Sequence, residues 1–291
     1  MRIKDFGGYK LEEVIGGGLN TRIYKAHSSL AKPPYEHTVA IKTLNLKSNN
    51  YKENRKLAHQ FEREAEISMS LNHPNIIKVH NFGKYNNQYA IIMEHISGSN
   101  FKEVLYNIEK LPFKLLLKIC YEAGKGLAFI HKNNIVHKDV KPDNILVNKD
   151  FTIIKITDFG IAKLPKRFWH KDIFPKSGTI TKYGIINYIA PEQTLGKADY
   201  CSDIYSFGVT MDEIITAKFL YPEQEEKNKE DYFQRLDGPS FKKKKGQQDI
   251  LCADIPVTED FKNIIRRATH PNCVLRYTSM EELLYDLKKL L

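Results

Sequence analysis

Cysteine is scarce in this sequence. Only 4 cysteines occur among 291 residues, and Cys120, Cys201, Cys252 and Cys273 are widely scattered with no CxxC pair. This spacing supports neither a zinc site nor a disulfide framework. We therefore expect all four residues to be reduced thiols with structural roles.

Long apolar runs are also absent. The first residues, MRIKDFGGYKLEEV, contain no apolar segment followed by a small-residue cleavage site. No later stretch approaches the roughly 18 consecutive apolar residues that a membrane-spanning helix needs. These absences predict a cytoplasmic chain with no membrane segment.

Basic residues outnumber acidic ones. The sequence has 45 Lys+Arg against 35 Asp+Glu, a formal net charge of +10, which favours acidic partners such as nucleotides. The most compact basic run, residues 242–245, follows the acidic segment EQEEKNKED, so we expect a solvated loop there. Because no aromatic residues interleave with that run to stack on bases, we predict no nucleic-acid partner.

The hydrophobic pattern divides the chain near residue 100. The first hundred residues hold five runs with alternating or β-branched residues and one segment of helical spacing, NRKLAHQFEREAEISMSLN. From about Asn100 onward, five segments place apolar residues three or four apart. Gly98 and Ser99 lie at the change, and we interpret them as a hinge between a small β-rich lobe and a larger helical lobe.

A glycine-rich segment, IGGGLNTRIY, occupies residues 15–24 between two predicted strands. Glycines leave room for backbone amides to approach phosphate oxygens. The third glycine of a complete G-x-G-x-x-G pattern is replaced by Thr21, and such a segment is by itself more often an ordinary turn. The phosphate-binding interpretation therefore depends on the other motifs.

The strand VAIK ends on Lys42. A lysine in an apolar run can hold nucleotide phosphates if an acid keeps it oriented, and Glu64 in the following helical segment is a candidate for that acid. The alternative is that Glu64 is a surface carboxylate like Glu62 and Glu66.

The stretch IVHKDVKPDNILV, residues 135–147, places Asp139, Lys141 and Asn144 within a mostly apolar run. Nearby, ITDFG at residues 156–160 adds Asp158. The two segments are arranged like a hairpin, which would bring their polar groups to one edge. Oxygen ligands of this kind suit Mg²⁺, which takes few protein ligands and fills its other positions with phosphate.

These motifs occur in a recognisable order. The glycine-rich loop, VAIK, the helix glutamate, H-x-D-x-K-x-x-N, DFG and APE follow one another as in the protein kinase signature set. The chain resembles a eukaryotic-type protein kinase catalytic domain over essentially its whole length. The resemblance implies an α+β, bilobal fold: an antiparallel β-sheet N-lobe with one key helix at about 1–96, a hinge at about 94–99 and a mainly helical C-lobe at about 100–291.

The resemblance also assigns roles to residues. Catalytic roles are implied for Asp139, Lys141, Lys42 and Glu64. Contacts with ATP are implied for Ile15, Gly16, Gly18, Ile23, Ala40, Lys42, Met93, Glu94, Ile96 and Leu146. Metal ligation of Mg²⁺ is implied for Asn144 and Asp158. Two structural contacts follow as well: an ion pair between Glu192 and Arg276, and a link from Asp203 to the catalytic loop, the segment HKDVKPDN at residues 137–144.

The implied reaction is transfer of the γ-phosphate of MgATP to a serine or threonine of a protein substrate, with autophosphorylation. The lysine in KDVKPDN resembles the serine/threonine branch, and YIAPEQ resembles bacterial members of that branch. One alternative is a pseudokinase that acts as a nucleotide-binding scaffold. The other is a small-molecule kinase, which the full DFG-to-APE segment disfavours.

Three residues depart from the family pattern. Lys138 replaces an arginine that grips a phosphorylated loop, and lysine cannot make the same bidentate contact. Ile185 replaces a threonine that bridges the catalytic aspartate and lysine. Ser68, one turn after Glu64, replaces an apolar residue, so we expect the helix position to depend on an activating partner. Candidate phosphorylation sites are Ser177, Thr179 and Thr181, in a loop rich in lysine and arginine.

Overall fold

The computed structural model of the protein describes residues 5–6, 8–28, 37–46, 50–85, 87–107, 111–160, 162, 188–216 and 258–291. Several residues discussed above lie outside this part of the chain: Ser177, Thr179, Thr181, Ile185, Cys252 and the basic run at 242–245.

The N-terminal part forms a six-stranded sheet. Its strands are β1 (Asp5–Phe6), β2 (Tyr9–Gly17), β3 (Thr21–His27), β4 (Thr38–Leu44), β5 (Val79–Tyr85) and β6 (Gln88–Glu94). The order is β1-β2-β3-β4-β6-β5, and all neighbouring pairs are antiparallel. Ala40 and Lys42 of the interior strand β4 share one face, because side chains alternate along a strand.

One long helix, α1 (Tyr51–Ser70), packs against this sheet. It begins at Asn50, whose side chain accepts a hydrogen bond of 3.1 Å from the Glu53 amide, the usual N-cap arrangement. Its buried positions recur three or four residues apart: Ala58, Phe61, Glu64, Ala65, Ile67 and Ser68. Glu64 thus lies on the apolar face of α1, and the alternative that it is a surface carboxylate is wrong.

The C-terminal part is mainly helical. Its helices are α2 (Phe101–Asn107), α3 (Phe113–Lys132), α4 (Pro191–Thr194), α5 (Tyr200–Thr216), α6 (Glu259–Ala268) and α7 (Met280–Lys288). Apolar side chains from α3, α5, α6 and α7 form a single buried cluster. Helix α5 is buried along nearly its whole length, so its polar residues have to find partners inside the protein.

A second, three-stranded antiparallel sheet lies beside these helices. It consists of β7 (Gly98–Asn100), β8 (Ile145–Asn148) and β9 (Ile154–Ile156), in that order. Gly98 and Ser99, which we interpreted as hinge residues, belong to β7. A Cβ atom on Gly98 would lie only 1.9 Å from the Val147 carbonyl oxygen, so strand pairing at this position requires a glycine.

The expectation of reduced cysteines is wrong for two of the four residues. Cys201 and Cys273 form a disulfide, with their Cα atoms 5.9 Å apart. They are separated by 72 residues, so only the packing of distant segments brings them together. Cys120 is a free, fully buried thiol, and burial raises its pKa.

Among the described helices, none combines the length and the apolar character needed to cross a membrane.

Candidate active site

A cavity of about 500 Å³ lies between the six-stranded sheet and the β7-β8-β9 sheet, within the size range of small-molecule sites. Apart from Asp139, the residues that the sequence assigned to nucleotide, metal and catalysis all line it: Ile15, Gly16, Gly18, Ile23, Ala40, Lys42, Glu64, Met93, Glu94, Ile96, Lys141, Asn144, Leu146 and Asp158. Asp139 adjoins them through hydrogen bonds to Lys141 and Asn144.

The glycine-rich hairpin between β2 and β3 borders the cavity. Gly17 has φ of 143°, and a Cβ there would lie 2.5 Å from the Thr21 carbonyl oxygen, so the turn requires a glycine. The Gly18 amide donates to the Thr21 hydroxyl at 3.2 Å and to the Thr21 carbonyl at 3.0 Å. Thr21, which replaces the third glycine of the pattern, therefore closes this turn.

Lys42 lies between two carboxylates. Its Nζ is 2.6 Å from Glu64 Oε1 and 3.2 Å from Asp158 Oδ1. Burial opposes the charge on Lys42, but the two carboxylates outweigh it and raise the pKa of Lys42 above its usual value. Burial likewise opposes ionisation of Asp158, yet Lys42 and the Gly160 amide keep the pKa of Asp158 below its usual value. At Glu64, burial outweighs the pairing with Lys42 and raises the pKa of that carboxyl above its usual value. The three side chains form one contact network centred on the Lys42 ammonium.

Ser68 is buried one turn after Glu64, and its hydroxyl donates to the Glu64 carbonyl at 2.7 Å. Its polar group is thus satisfied within α1, and the Lys42–Glu64 ion pair is formed beside it. The dependence of α1 on an activating partner stays a prediction.

The loop before β8 groups three polar side chains. Lys141 Nζ donates to both carboxylate oxygens of Asp139, at 3.0 and 2.9 Å. Asn144 Nδ2 donates to Asp139 Oδ2 at 2.9 Å and to the Asp139 carbonyl at 2.7 Å. These bonds hold the Asp139 carboxylate next to Lys141 and Asn144, which line the cavity wall.

The β8-β9 hairpin brings Asp158 to the same place. Ile145 pairs with Ile156, and the Asn144 carbonyl accepts a bond of 3.0 Å from the Thr157 amide. The residue before β8 is therefore fixed beside the residues after β9, as the hairpin prediction required.

Asn144 and Asp158 can both offer oxygen ligands, because the Asn144 amide nitrogen is already bonded to Asp139. The described residues contain no group of three or more His, Cys, Asp or Glu that could hold a metal, and a sparse oxygen donor set of this kind fits Mg²⁺ better than zinc.

Lys138, immediately before Asp139, has a strained backbone with φ of 68°, a conformation that costs about 1–2 kcal/mol for a residue with a side chain. Asp203 of α5, which is fully buried, accepts from the Lys138 amide and the His137 amide at 2.7 Å each. Gln193 Nε2 donates to the Lys138 carbonyl at 2.8 Å. The predicted link from Asp203 to the catalytic loop is confirmed. The hydrogen bonds to the Lys138 backbone offset the energetic cost of its strained conformation.

The predicted ion pair between Glu192 and Arg276 is also confirmed. Arg276 Nη1 and Nη2 lie 2.8 and 2.9 Å from the two oxygens of Glu192, a bidentate pairing. Burial acts to raise the pKa of Glu192, but the bonds from Arg276 and Ser202 prevail and lower it. Arg276 is 1% exposed, and its remaining donors bind the carbonyls of His270, Cys201 and Pro271.

Sequence reasoning missed several residues of the cavity wall, including Asn100, Glu103 and Thr157. Asn100 and Glu103 carry a recognisable helix-start signal, because the Asn100 side chain accepts from the Glu103 amide at 2.9 Å. That signal marks where α2 begins and says nothing about a cavity. The ion pair of Lys155 with Glu94, at 2.8 Å, has no sequence signal, because the two residues are distant in the chain.

Comparison with known proteins agrees with this geometry. A family model described as a protein kinase domain matches residues 9–286. The chain is 31% identical, over 97% of its length, to the serine/threonine-protein kinase PrkC of Bacillus subtilis, of which it covers 40%. It is 32% identical, over 73% of its length, to the serine/threonine-protein kinase PknA of Mycobacterium tuberculosis, of which it covers 47%. The chain thus spans less than half the length of either relative. With its antiparallel N-terminal sheet, its helical C-terminal part and the cavity between them, this chain belongs to the protein kinase domain family and has its bilobal α+β fold.

Proposed function

We propose that the protein transfers the γ-phosphoryl group of ATP to serine or threonine hydroxyls of protein substrates. The observation that carries the proposal is the convergence of Lys42, Asp139, Lys141, Asn144 and Asp158 on one cavity beneath a glycine-rich hairpin. The names of the relatives support the serine/threonine preference, as does the lysine two residues after Asp139.

Apolar side chains would bind the adenine ring of ATP, and charged side chains would bind its phosphates. Ile23, Ala40 and Leu146 would enclose the adenine ring, with Met93 at the back and the backbone of residues 94–96 as its hydrogen-bonding edge. Lys42, oriented by Glu64, would hold the α- and β-phosphates, while the hairpin that contains Gly16 and Gly18 would cover them.

The transfer step requires a base and a means of balancing charge. The substrate hydroxyl oxygen attacks the γ-phosphorus, the bond from that phosphorus to the bridging oxygen of ADP breaks, and Asp139 accepts the hydroxyl proton. Lys141, which lies 2.9 Å from Asp139, is close enough to bind the transferred phosphoryl group as it moves. Asn144 and Asp158 would hold Mg²⁺, which when bound supplies charge neutralisation at the phosphates.

A nucleotide-binding scaffold without transfer has no specific observation in its favour. Loss of chemistry would be expected to remove at least one polar group of the site, yet Asp139, Asn144 and Asp158 are all in place.

The test is transfer of labelled phosphate from MgATP to the protein itself and to a generic basic protein, followed by identification of the phosphorylated residue type. Asp139→Asn should abolish transfer without reducing ATP binding. The matched control is Asp150→Asn, which changes an exposed aspartate in the β8-β9 turn and should leave transfer intact. Equal transfer by the wild-type protein and Asp139→Asn, or phosphate found only on tyrosine, would contradict the proposal.

A further inference from the structure

The Cys201–Cys273 disulfide joins two segments that are connected to the catalytic loop through hydrogen bonds. Cys201 is in the first turn of α5, and Cys273 begins the short 3-10 helix Cys273–Leu275 that leads directly into Arg276. The Cys201 carbonyl accepts a hydrogen bond from Arg276 Nη1 at 2.8 Å. The covalent bond and this hydrogen bond therefore connect the same two segments.

The segments joined by the disulfide lead to the backbone of Lys138 along two routes. Asp203, two residues after Cys201, accepts from the Lys138 amide at 2.7 Å. Gln193 donates to the Lys138 carbonyl at 2.8 Å, and its neighbour Glu192 is held by Arg276. Because the left-handed conformation of Lys138 costs energy, its population depends on how firmly these partners are fixed.

We propose that Cys201 and Cys273 form a redox-controlled site whose disulfide positions the catalytic loop, so that the oxidised protein is the more active form. This inference rests on the proposed phosphotransfer function. The two cysteines are positioning residues, since neither touches the nucleotide cavity. In compartments that keep thiols reduced, a protein disulfide is usually transient and sensory.

The chemistry requires a partner disulfide, and a low-molecular-weight disulfide such as oxidised glutathione is sufficient. One cysteine thiolate attacks it, forming a mixed disulfide and releasing one small thiol. The second cysteine thiolate then attacks the mixed disulfide, forming the Cys201–Cys273 bond and releasing the second small thiol. Two protein thiols lose two electrons and two protons, and one small disulfide gains them.

Access to the site differs from that of the other described cysteine. Cys201 and Cys273 are both partly exposed, and the next residues after Cys273, Val274 and Leu275, are 83% and 56% exposed. Cys120 is fully buried in the helical core. A small disulfide can thus reach the proposed pair, whereas it cannot reach Cys120 while the protein is folded.

The test compares the wild-type protein equilibrated in buffers of oxidised and reduced glutathione. Alkylation followed by peptide mass analysis should show Cys201 linked to Cys273 only in the oxidised sample. We expect kcat to fall on reduction by about two- to thirty-fold, the range of couplings between connected sites. The KM for ATP should change little, because most of the cavity wall belongs to the other lobe.

Single-cysteine variants distinguish the redox response of the Cys201–Cys273 pair from that of the other cysteines. Cys273→Ser should behave like the reduced wild-type protein in both buffers, whereas Cys252→Ser should keep the full redox response. If Cys273→Ser does not fold, the comparison of the two redox states of the wild-type protein is still decisive. Equal kcat in both states, or the absence of a Cys201–Cys273 link in oxidised glutathione, would overturn the proposal.

Hydrogen exchange supplies a readout that does not depend on activity. The amides of His137 and Lys138, both bonded to Asp203, should exchange faster in the reduced protein. If no phosphate is transferred in either redox state, the proposed function fails, while faster exchange on reduction still supports the redox site. Unchanged exchange would refute the coupling to the catalytic loop.

Discussion

Asp203→Asn offers a sharp test of how the fold supports the catalytic loop. The Asp203 carboxylate accepts from two backbone amides, of His137 through Oδ2 and of Lys138 through Oδ1, each at 2.7 Å. It also lies 2.9 Å from His131 Nε2. Asparagine has the same shape but only one oxygen. Whichever way its amide group turns, an NH₂ faces one backbone N–H, and that donor is left without an acceptor.

The size of the effect follows from burial. Asp203 is 0% exposed, so water cannot replace the lost acceptor. An unsatisfied buried donor costs about 1–3 kcal/mol, and a hydrogen bond to a charged group contributes about 1.5–3 kcal/mol. We expect the free energy of unfolding to fall by about 2 kcal/mol, the middle of these ranges. With less support for the strained Lys138, we expect kcat to fall about tenfold, which corresponds to 1.4 kcal/mol.

Urea unfolding and steady-state kinetics measure the two effects. The matched control is Asp199→Asn, also at the start of α5, where an exposed aspartate accepts one bond from the Tyr200 amide at 2.8 Å. Asparagine can accept the same bond, so stability and kcat should stay at wild-type values. A loss below about 1 kcal/mol in Asp203→Asn, the minimum for an unsatisfied buried donor, together with a wild-type kcat, would refute the reasoning.

Three further predictions follow from the buried charges. Lys42→Met should abolish phosphate transfer while the circular dichroism spectrum stays native, and transfer at the wild-type rate would remove Lys42 from the mechanism. Arg276→Met should lower the free energy of unfolding by about 3–5 kcal/mol, because it leaves Glu192 without its buried partner. The control variant Arg266→Met loses an exposed ion pair and should unfold at nearly the wild-type urea midpoint. Equal urea midpoints for the two variants would contradict the predicted effect of Arg276. Burial and the neighbouring Glu213 raise the pKa of Asp212 to about 7, so this group makes the protein less stable as pH rises from about 4 to 7. Asp212→Asn should therefore gain stability relative to wild type above pH 7, on the order of 4 kcal/mol, and the gain should vanish near pH 4. Urea midpoints that differ equally at both pH values would exclude a titration effect.

The sequence contained more information about Glu64 than its motif alone. Glu64 lies three residues after Phe61 and three before Ile67, the spacing of one helix face. Helical periodicity could therefore have placed Glu64 on the apolar side of α1, whereas its motif alone left a surface carboxylate as the alternative. A carboxylate on such a face needs a buried partner, and Lys42 was the candidate that the family motifs supplied.

Local rules also explain where the main elements are. Strand alternation, helical spacing and helix caps act over a few residues, so they predicted the strands before residue 100 and the helices after it. They could not distinguish a hinge from a strand at Gly98, because the reason for that glycine is the Val147 carbonyl on a strand almost fifty residues away.

By itself, the sequence determined the family and identified the residues of the candidate site, since the order and spacing of its motifs belong to the chain and need no folding to be read. The tertiary structure decided which groups meet. Lys42 meets Asp158 across 116 residues, and Cys201 meets Cys273 across 72. The physical reason is that an ion pair or a disulfide depends on distances of a few ångströms between side chains. For residues this far apart in the chain only tertiary packing sets those distances, between the two lobes for the ion pair and within the helical lobe for the disulfide.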